Sequence, residues 1–426
     1  MKQSRLTLSR LFSSFLIGAS LMTTLHNPLF ANDQINTSQA SQVSEAQLLQ
    51  TSSYAFPSLA EAAKTEVMHY TMPYRTGEMA NASALLFYPT TEKPQEGWKI
   101  VVWTHGTVGV AHNCAPSLQP INDNFKVLAQ SLLDAGYVIV APDYEGLGQQ
   151  RIHPYLNLKS EADAAIYAVN ALKNAHPDDF QGDWMVVGQS QGGQAAIGTA
   201  EYANNDPYFK GAVAGAPASS LDYIIGTVAP KALTQLDQAE ANAGIPLSER
   251  NSLHSFATLL SYGAFVGIGI KADHPDFDYE SLFYPRSQPL AAKAEDHENQ
   301  PGLCLNELRE LWKADIRAFL AENPHHQLTD YPGINIDIFE HNPVLLDFFK
   351  ISQPGTQRID KPLLIIQGEK DTNVPAGVTT ILAERLKSLG SEAVDLVIVP
   401  EASHQEAIVW ENDRVVEFVE SVMPAK

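Results

Sequence analysis

Cysteine, positive charge and long apolar runs are all scarce in this 426-residue chain. Only two cysteines are present, Cys114 and Cys304, so at most one intramolecular disulfide can form. Lys and Arg number 28 against 49 Asp and Glu, a formal net charge of −21. A surface this acidic repels nucleic acid and anionic membranes, which removes both as expected partners and favours solubility. Beyond the N-terminal segment no stretch reads as a membrane span, so no stable membrane insertion is expected. No group of His, Asp and Glu has ligand spacing, and neither a metal nor a cofactor is expected. Internal repeats and low-complexity tracts are missing too. Charged residues make up 18% and hydrophobic ones 44%, which excludes a mainly disordered chain and leaves ample material for a core.

What is present begins with a targeting pattern. Lys2, Arg5 and Arg10 form a basic start, residues 11–22 an apolar stretch diluted by Ser and Gly, and Leu29-Phe30-Ala31 a small-residue cleavage point. The pattern predicts a signal peptide over 1–31, cut near Ala31, and a secreted or periplasmic protein. A membrane anchor is the competing reading, but the run is too short and too interrupted for the roughly 20 apolar residues a span needs. No cysteine follows it to carry a lipid. Export leads to a compartment where thiols oxidise, so the two cysteines suggest one disulfide, with two buried free thiols as the alternative. Residues 32–59, rich in Gln, Ser, Thr and Asn, read as a flexible leader.

Short apolar runs bounded by turn residues recur at 84–88, 100–103, 137–141, 184–187, 212–214, 363–366 and 396–399. Several are continuous β-branched runs, the pattern of strands buried on both faces of a parallel sheet. Between them, Ala162, Ala165, Ile166, Val169 and Leu172 share one helical face, and 378–389 and 415–423 also read as helices. This alternation predicts an α/β fold with a mostly parallel, doubly wound sheet. The alternation breaks over 221–355, a helix-patterned stretch read as an inserted cap between core segments 60–220 and 356–426.

The segment Gly188-Gln189-Ser190-Gln191-Gly192 fits the pattern G-x-S-x-G. By itself the pattern is weak. Its context gives it weight, because the buried-strand run 184–187 precedes it and a small-residue helix, 194–203, follows. Such a turn holds Ser190 in a strained conformation with its hydroxyl clear of the sheet, and Gly188 and Gly192 avoid collisions with neighbouring backbone. A Gly-rich turn without chemistry is the bland alternative.

A serine nucleophile needs a base, and histidine is suited to that by its pKa. In this arrangement the acid follows the serine and precedes the histidine. Asp371 lies in the loop after 363–366, with Glu369 as the runner-up nearer the strand end, and His404 lies after 396–399. A turn aspartate and a surface histidine are the bland readings. His341 has no strand before it and is set aside. In these roles His404 takes and returns the Ser190 proton, and Asp371 fixes the imidazole tautomer. The expected oxyanion donors are the backbone N–H of Gln191, next to the nucleophile, and that of Thr107, in the loop after the third strand at 100–103. His105 is expected to brace that loop.

These residues carry a resemblance. The chain resembles the secretory lipase family in "HGTVGVAHNCAPS" at 105–117, "PDYEGLG" at 142–148, "HPYL" at 153–156, "GQSQGGQAA" at 188–196, "GEKDTNVP" at 368–375 and "SH" at 403–404. The likeness runs over residues 60–420. It implies an α/β-hydrolase fold, a triad of Ser190, Asp371 and His404, and a helical cap between the sixth and seventh strands. It also implies a Cys114–Cys304 disulfide tying the loop to the cap, and hydrolysis of acylglycerols or related carboxylic esters. The expected substrate is a small-molecule or lipid ester, and the protein is expected to be a monomer. The 105–109 loop departs from the family's form, so Val108 and Gly109 stand beside Thr107 as alternative second donors. The apolar segment 257–270 reads equally as an acyl-chain tunnel or as the cap's own core. A tunnel suits a lipase, and a shallow pocket suits a carboxylesterase. A serine peptidase and a non-catalytic binder are the alternatives from other classes.

Overall fold

The structure, a computed structural model, describes residues 45–426 apart from 181, 299 and 324. The expected signal peptide over 1–31, and the leader as far as residue 44, lie outside the described residues.

A nine-stranded sheet runs in the order β1-β2-β3-β5-β4-β6-β7-β8-β9. Its strands are β1 (Leu48–Ser53), β2 (Ala62–Pro73), β3 (Met79–Pro89), β4 (Ile100–Thr104), β5 (Val138–Pro142), β6 (Trp184–Gln189), β7 (Phe209–Gly215), β8 (Leu363–Gly368) and β9 (Val394–Val399). The first three pair antiparallel, as does β3 with β5, and every pairing from β5 to β9 is parallel. The parallel strands are apolar on both faces because both faces are covered. Val102, Val138, Val186 and Ile365 join one buried cluster, and their chain neighbours Val101, Ile139, Val187 and Ile366 join the other. The first cluster is closed by α2 (Leu158–Ala175), α3 (Gln191–Tyr202) and α8 (Ala376–Ser388). The second is closed by α1 (Asp123–Asp134) and α9 (Asn412–Val422). The α/β, doubly wound arrangement expected from the alternating runs is the one observed.

Two strands at one edge were not legible in the apolar pattern. Part of the expected leader, 45–59, is not a free tail: β1 pairs with β2 from Leu48↔Tyr70 to Ser53↔Glu66. Five of its six residues are exposed, so backbone hydrogen bonds hold it and no hydrophobic alternation announces it. β2 lays Met68, Tyr70 and Met72 on the buried face with half-buried residues between them. The strand before the 104–109 loop is therefore the fourth in the chain, not the third. The long helical insertion likewise lies between the seventh and eighth strands, not the sixth and seventh.

That insertion contains α4 (Ala229–Asn242), α5 (Asn251–Ile270), α6 (Leu305–Glu322) and α7 (Pro343–Ile351). Among the described residues it adds no strand to the sheet. Its own buried cluster centres on α5, where Leu253, Leu260, Ala264, Phe265 and Ile268 pack with Phe283, Trp312 and Phe348. α5 is long and apolar enough to cross a bilayer, yet 78% of its most apolar window is buried inside the protein. Gly263 and Gly267 let neighbours press onto its backbone. A Cβ there would stand 2.6 Å from Ile334 and 2.7 Å from Tyr279. The segment 257–270 is thus packed as the core of this layer along those faces.

Candidate active site

The parallel strands deliver their C-terminal ends to one edge. The chain order reverses there, because β4 leads to β5 on one side and β5 leads back across to β6 on the other. Crevices at such reversals are where open α/β sheets bind ligands. Ser190 directly follows β6, Asp371 follows β8 and His404 follows β9, so segments distant in sequence converge.

Ser190 sits at φ 62° and ψ −118°, a conformation that costs a non-glycine residue on the order of 1–3 kcal/mol. Surrounding bonds hold it there. Its N–H donates to Gly215 O at 2.8 Å, and its carbonyl accepts from Gln194 N at 3.0 Å and Ala218 N at 3.2 Å. The flanking glycines are required by space. A Cβ on Gly188 would lie 2.1 Å from Gly192 O, and one on Gly192 would lie 1.8 Å from Thr104 O. α3 begins at Gln191, three residues before the expected start, so its N-terminal N–H groups stand next to the Ser190 hydroxyl and favour negative charge there.

His404 Nε2 lies 2.8 Å from Ser190 Oγ, and His404 Nδ1 lies 2.7 Å from Asp371 Oδ2. Asp371 is anchored from three further donors. Its Oδ1 accepts from Asn373 N at 2.8 Å and Val374 N at 2.9 Å, and its Oδ2 also accepts from Gln367 Nε2 at 2.9 Å. Gln189 Nε2 donates to His404 O at 3.0 Å, which fixes the histidine's backbone beside the Ser190 turn. Glu369, the runner-up, is exposed and accepts from Glu401 N, while the carboxylate bonded to His404 is Asp371. His341 is exposed and bonds Asp337 O on its own helix. An aligned hydroxyl, imidazole and carboxylate can pass a proton from the hydroxyl to the ring while the carboxylate steadies the ring.

The loop after β4 lies against the same turn. A Cβ on Gly106 would stand 3.6 Å from Ser190 Cβ. His105 is buried between Gly106 O, 2.7 Å from Nδ1, and Asp143 O, 3.3 Å from Nε2. Burial pushes its pKa down to about 4, so it braces the loop as a neutral ring. The Val108 carbonyl accepts from Leu305 N at 2.8 Å, which ties its peptide to the start of α6. Gly109 lies beneath a Cys114–Cys304 disulfide, where a Cβ would come within 2.8 Å of Cys114 Sγ. That disulfide joins the loop to the residue preceding α6. The backbone N–H groups of Thr107, Val108, Gly109 and Gln191 donate to no described residue.

A buried polar layer behind this loop was not anticipated from the sequence. Gln191 Nε2 donates to Glu161 Oε1 at 2.7 Å and to His153 Nε2 at 3.2 Å. Burial raises the Glu161 carboxyl to about 8 and lowers the His153 imidazole to about 3, so both are neutral at pH 7. Glu161 reads in the sequence only as the start of an amphipathic helix. The "HPYL" segment was the available signal, though it says nothing about which groups it would touch.

The helical layer closes over this edge. Ser255 Oγ on α5 is 3.1 Å from Thr372 Oγ1, and Ile224 and Ala229 pack with Val374 and Val378. Ser190 and His404 are each 8% exposed, so both are largely shielded from solvent. A cleft of about 190 Å³, bordered by Arg75, Tyr155, Asp273 and Phe348, opens elsewhere and does not include Ser190.

Comparison with known proteins agrees with the fold. The esterase LipA of Xanthomonas oryzae, described as rice cell wall degrading, superposes with a TM-score of 0.59 at 18% identity, covering 89% of this chain and 97% of that one. A putative hydrolase from Legionella pneumophila gives 0.60 at 17% identity, covering 84% and 88%. Candida antarctica lipase A in its closed state gives 0.59 at 16% identity, covering 88% and 81%. The prolyl oligopeptidase family matches residues 342–423. No curated protein matches the sequence. The chain has the α/β-hydrolase fold.

Proposed function

We propose that this α/β-hydrolase-fold protein is an exported serine ester hydrolase, a lipase or carboxylesterase, with Ser190 as nucleophile. The observation that carries the reading is the unbroken relay from Ser190 Oγ through His404 to Asp371, at 2.8 and 2.7 Å. Ser190 Oγ attacks the ester carbonyl carbon as His404 Nε2 takes its proton. The carbonyl oxygen becomes an oxyanion held by the N–H groups of Gln191 and Thr107. Collapse breaks the bond to the alcohol oxygen, which leaves with the proton from His404 and forms acyl-Ser190. Water then repeats the sequence and releases the acid.

Thr107 is preferred as second donor because it directly follows Gly106, where a Cβ would lie 3.6 Å from Ser190 Cβ, whereas Val108 and Gly109 sit against Leu305 and the disulfide. The disulfide supports export, since such bonds persist in oxidising compartments. The similar structures include an esterase and a lipase, which favours ester over amide. The tight packing on α5 at Gly263 and Gly267 favours a short acyl group over a long tunnel.

The match to the prolyl oligopeptidase family spans Asp371 and His404, and it makes amide hydrolysis the second reading. A butyrate nitrophenyl ester assayed beside the nitroanilide of the same acyl group separates the two. Ester turnover without anilide turnover is the expected result, and faster anilide cleavage would reverse the assignment. Labelling by a fluorophosphonate, lost in Ser190→Ala, tests the nucleophile itself.

A further inference from the structure

Residues 153–156 touch both halves of the proposed oxyanion hole. Tyr155 OH is 2.7 Å from Thr107 Oγ1, on the half supplied by the loop after β4. His153 Nε2 accepts from the Gln191 side-chain amide at 3.2 Å, on the half supplied by α3. His153 Nδ1 donates to Glu145 O at 2.8 Å, which leaves Nε2 as the acceptor the amide needs. The other amide hydrogen goes to Glu161 Oε1, so both hydrogens of Gln191 Nε2 are placed on fixed acceptors.

Glu161 is itself tied to the same segment. Its Oε1 accepts from Leu156 N at 3.0 Å, and Leu156 O accepts from Gln194 Nε2 at 3.0 Å. Leu156 makes both contacts from a φ of 60°, a left-handed conformation that a leucine adopts only when its surroundings enforce it. The segment is also stiffened by rings. His153 stacks with Tyr144 at 6.0 Å, and Tyr144 OH donates to His105 O at 2.9 Å. On the cap side, Phe265 of α5 meets Tyr155 edge-on at 5.9 Å. His153, Tyr155, Glu161 and Gln191 are all buried, so these bonds are not exchanged with water.

We propose that residues 153–156 together with Glu161 are the positioning brace of the oxyanion hole. Tyr155 sets the Thr107 peptide, and the His153–Glu161 pair sets the Gln191 peptide. None of these side chains touches the substrate. They act by holding two backbone N–H groups at one spacing, and catalysis by preorganised donors depends on that spacing. The inference rests on the hydrolase reading above.

The test uses the full chain and four single variants: Tyr155→Phe, Thr107→Val, Glu161→Ala and Glu161→Gln. For each, kcat and KM on nitrophenyl butyrate, the inhibition constant of a trifluoromethyl ketone and the melting temperature are measured. Removing an oxyanion donor outright costs about 100- to 1,000-fold in kcat, so loosening one is expected to cost about 10- to 100-fold. Tyr155→Phe, Thr107→Val and Glu161→Ala should each lower kcat by that amount with KM nearly unchanged. The ketone, whose adduct carries the oxyanion, should weaken in proportion. Tyr155→Phe and Thr107→Val should not add in the double variant, because they remove one contact. Glu161→Gln keeps a carbonyl acceptor for Gln191 and should recover most of the loss.

Unchanged kcat in Tyr155→Phe and Thr107→Val, or a loss that follows melting temperature while ketone affinity stays constant, overturns the brace. These two variants are conservative and decide the matter even if Glu161→Ala does not fold. If Ser190→Ala keeps wild-type activity, the hydrolase reading fails first. If Ser190→Ala is dead and the brace variants are normal, only the brace fails.

Discussion

On the relay side of the site, Ser190, His404 and Asp371 meet through their own side chains. On the proposed oxyanion side, Gln191 and Thr107 leave their backbone N–H groups without a described partner while their side chains bond Glu161, His153 and Tyr155. The relay side hangs on loops after β8 and β9, with Asp371 fixed mostly by its own loop's N–H groups. The oxyanion side is drawn from the loop after β4, the start of α3 and residues 153–161, and is fastened to the cap by the disulfide. On the proposed mechanism the two halves should be damaged differently. The relay should fail when one functional group is removed, and the oxyanion half when a packed neighbour is loosened.

The largest effect should come from the relay. Ser190→Ala is expected to lower kcat by about 10,000-fold or more, with little change in melting temperature, because no core contact is lost. Steady-state kinetics beside a thermal melt checks this, and wild-type turnover would remove the relay from the comparison. Asp371→Asn should follow at about 1,000- to 10,000-fold, through loss of the correct imidazole tautomer. A smaller loss than that seen in Tyr155→Phe would mean the relay is not the more demanding half.

Reduction of Cys114–Cys304 should act on the oxyanion side alone. The bond spans a sequence separation of 190 residues, and its loss is expected to cost about 2–5 kcal/mol of stability. Because Gly109 lies beneath it, kcat should fall along with melting temperature. A melting curve with and without reductant reads the first, and the nitrophenyl ester assay reads the second. A reduced protein with unchanged melting temperature would separate the disulfide from the stability of this side.

The smallest effect is a pH slope. Burial raises the Glu161 carboxyl to about 8 and the Asp143 carboxyl to about 6. Between an ordinary carboxylate pKa and these values the folded chain holds protons that the unfolded chain has released. Stability contributed by each group is therefore lost as pH rises through that window, by at most about 1.4 kcal/mol per pH unit per group. Glu161→Gln should flatten the decline between pH 6 and 8, where Asp143 has already given up its proton. Parallel slopes for wild type and variant would mean that Glu161 is not the titrating group.

The strands that carry the site were readable because both faces of a parallel sheet are covered, so β4 to β8 appear as unbroken apolar runs. β1 was not readable, because its exposed side chains leave only backbone pairing to hold it. Ser190 was legible through Gly188 and Gly192, whose missing side chains leave a mark in the sequence. Asp371 and His404 were legible by their place after apolar runs. Glu161 was not, since a buried carboxyl on a helix and an exposed one are the same letter.

By itself, then, the order of residues determined the alternation of sheet and helix, the strained serine turn and the three groups that could share a proton. These are local consequences of side-chain size, periodicity and chemistry. Only the tertiary structure decided that the loop after β4 and the start of α3 meet at Ser190, that the inserted helices pack against the Asp371 loop, and that residues 153–161 bond to both Thr107 and Gln191. Backbone donors carry no side-chain identity, so their positions are set by what packs behind them.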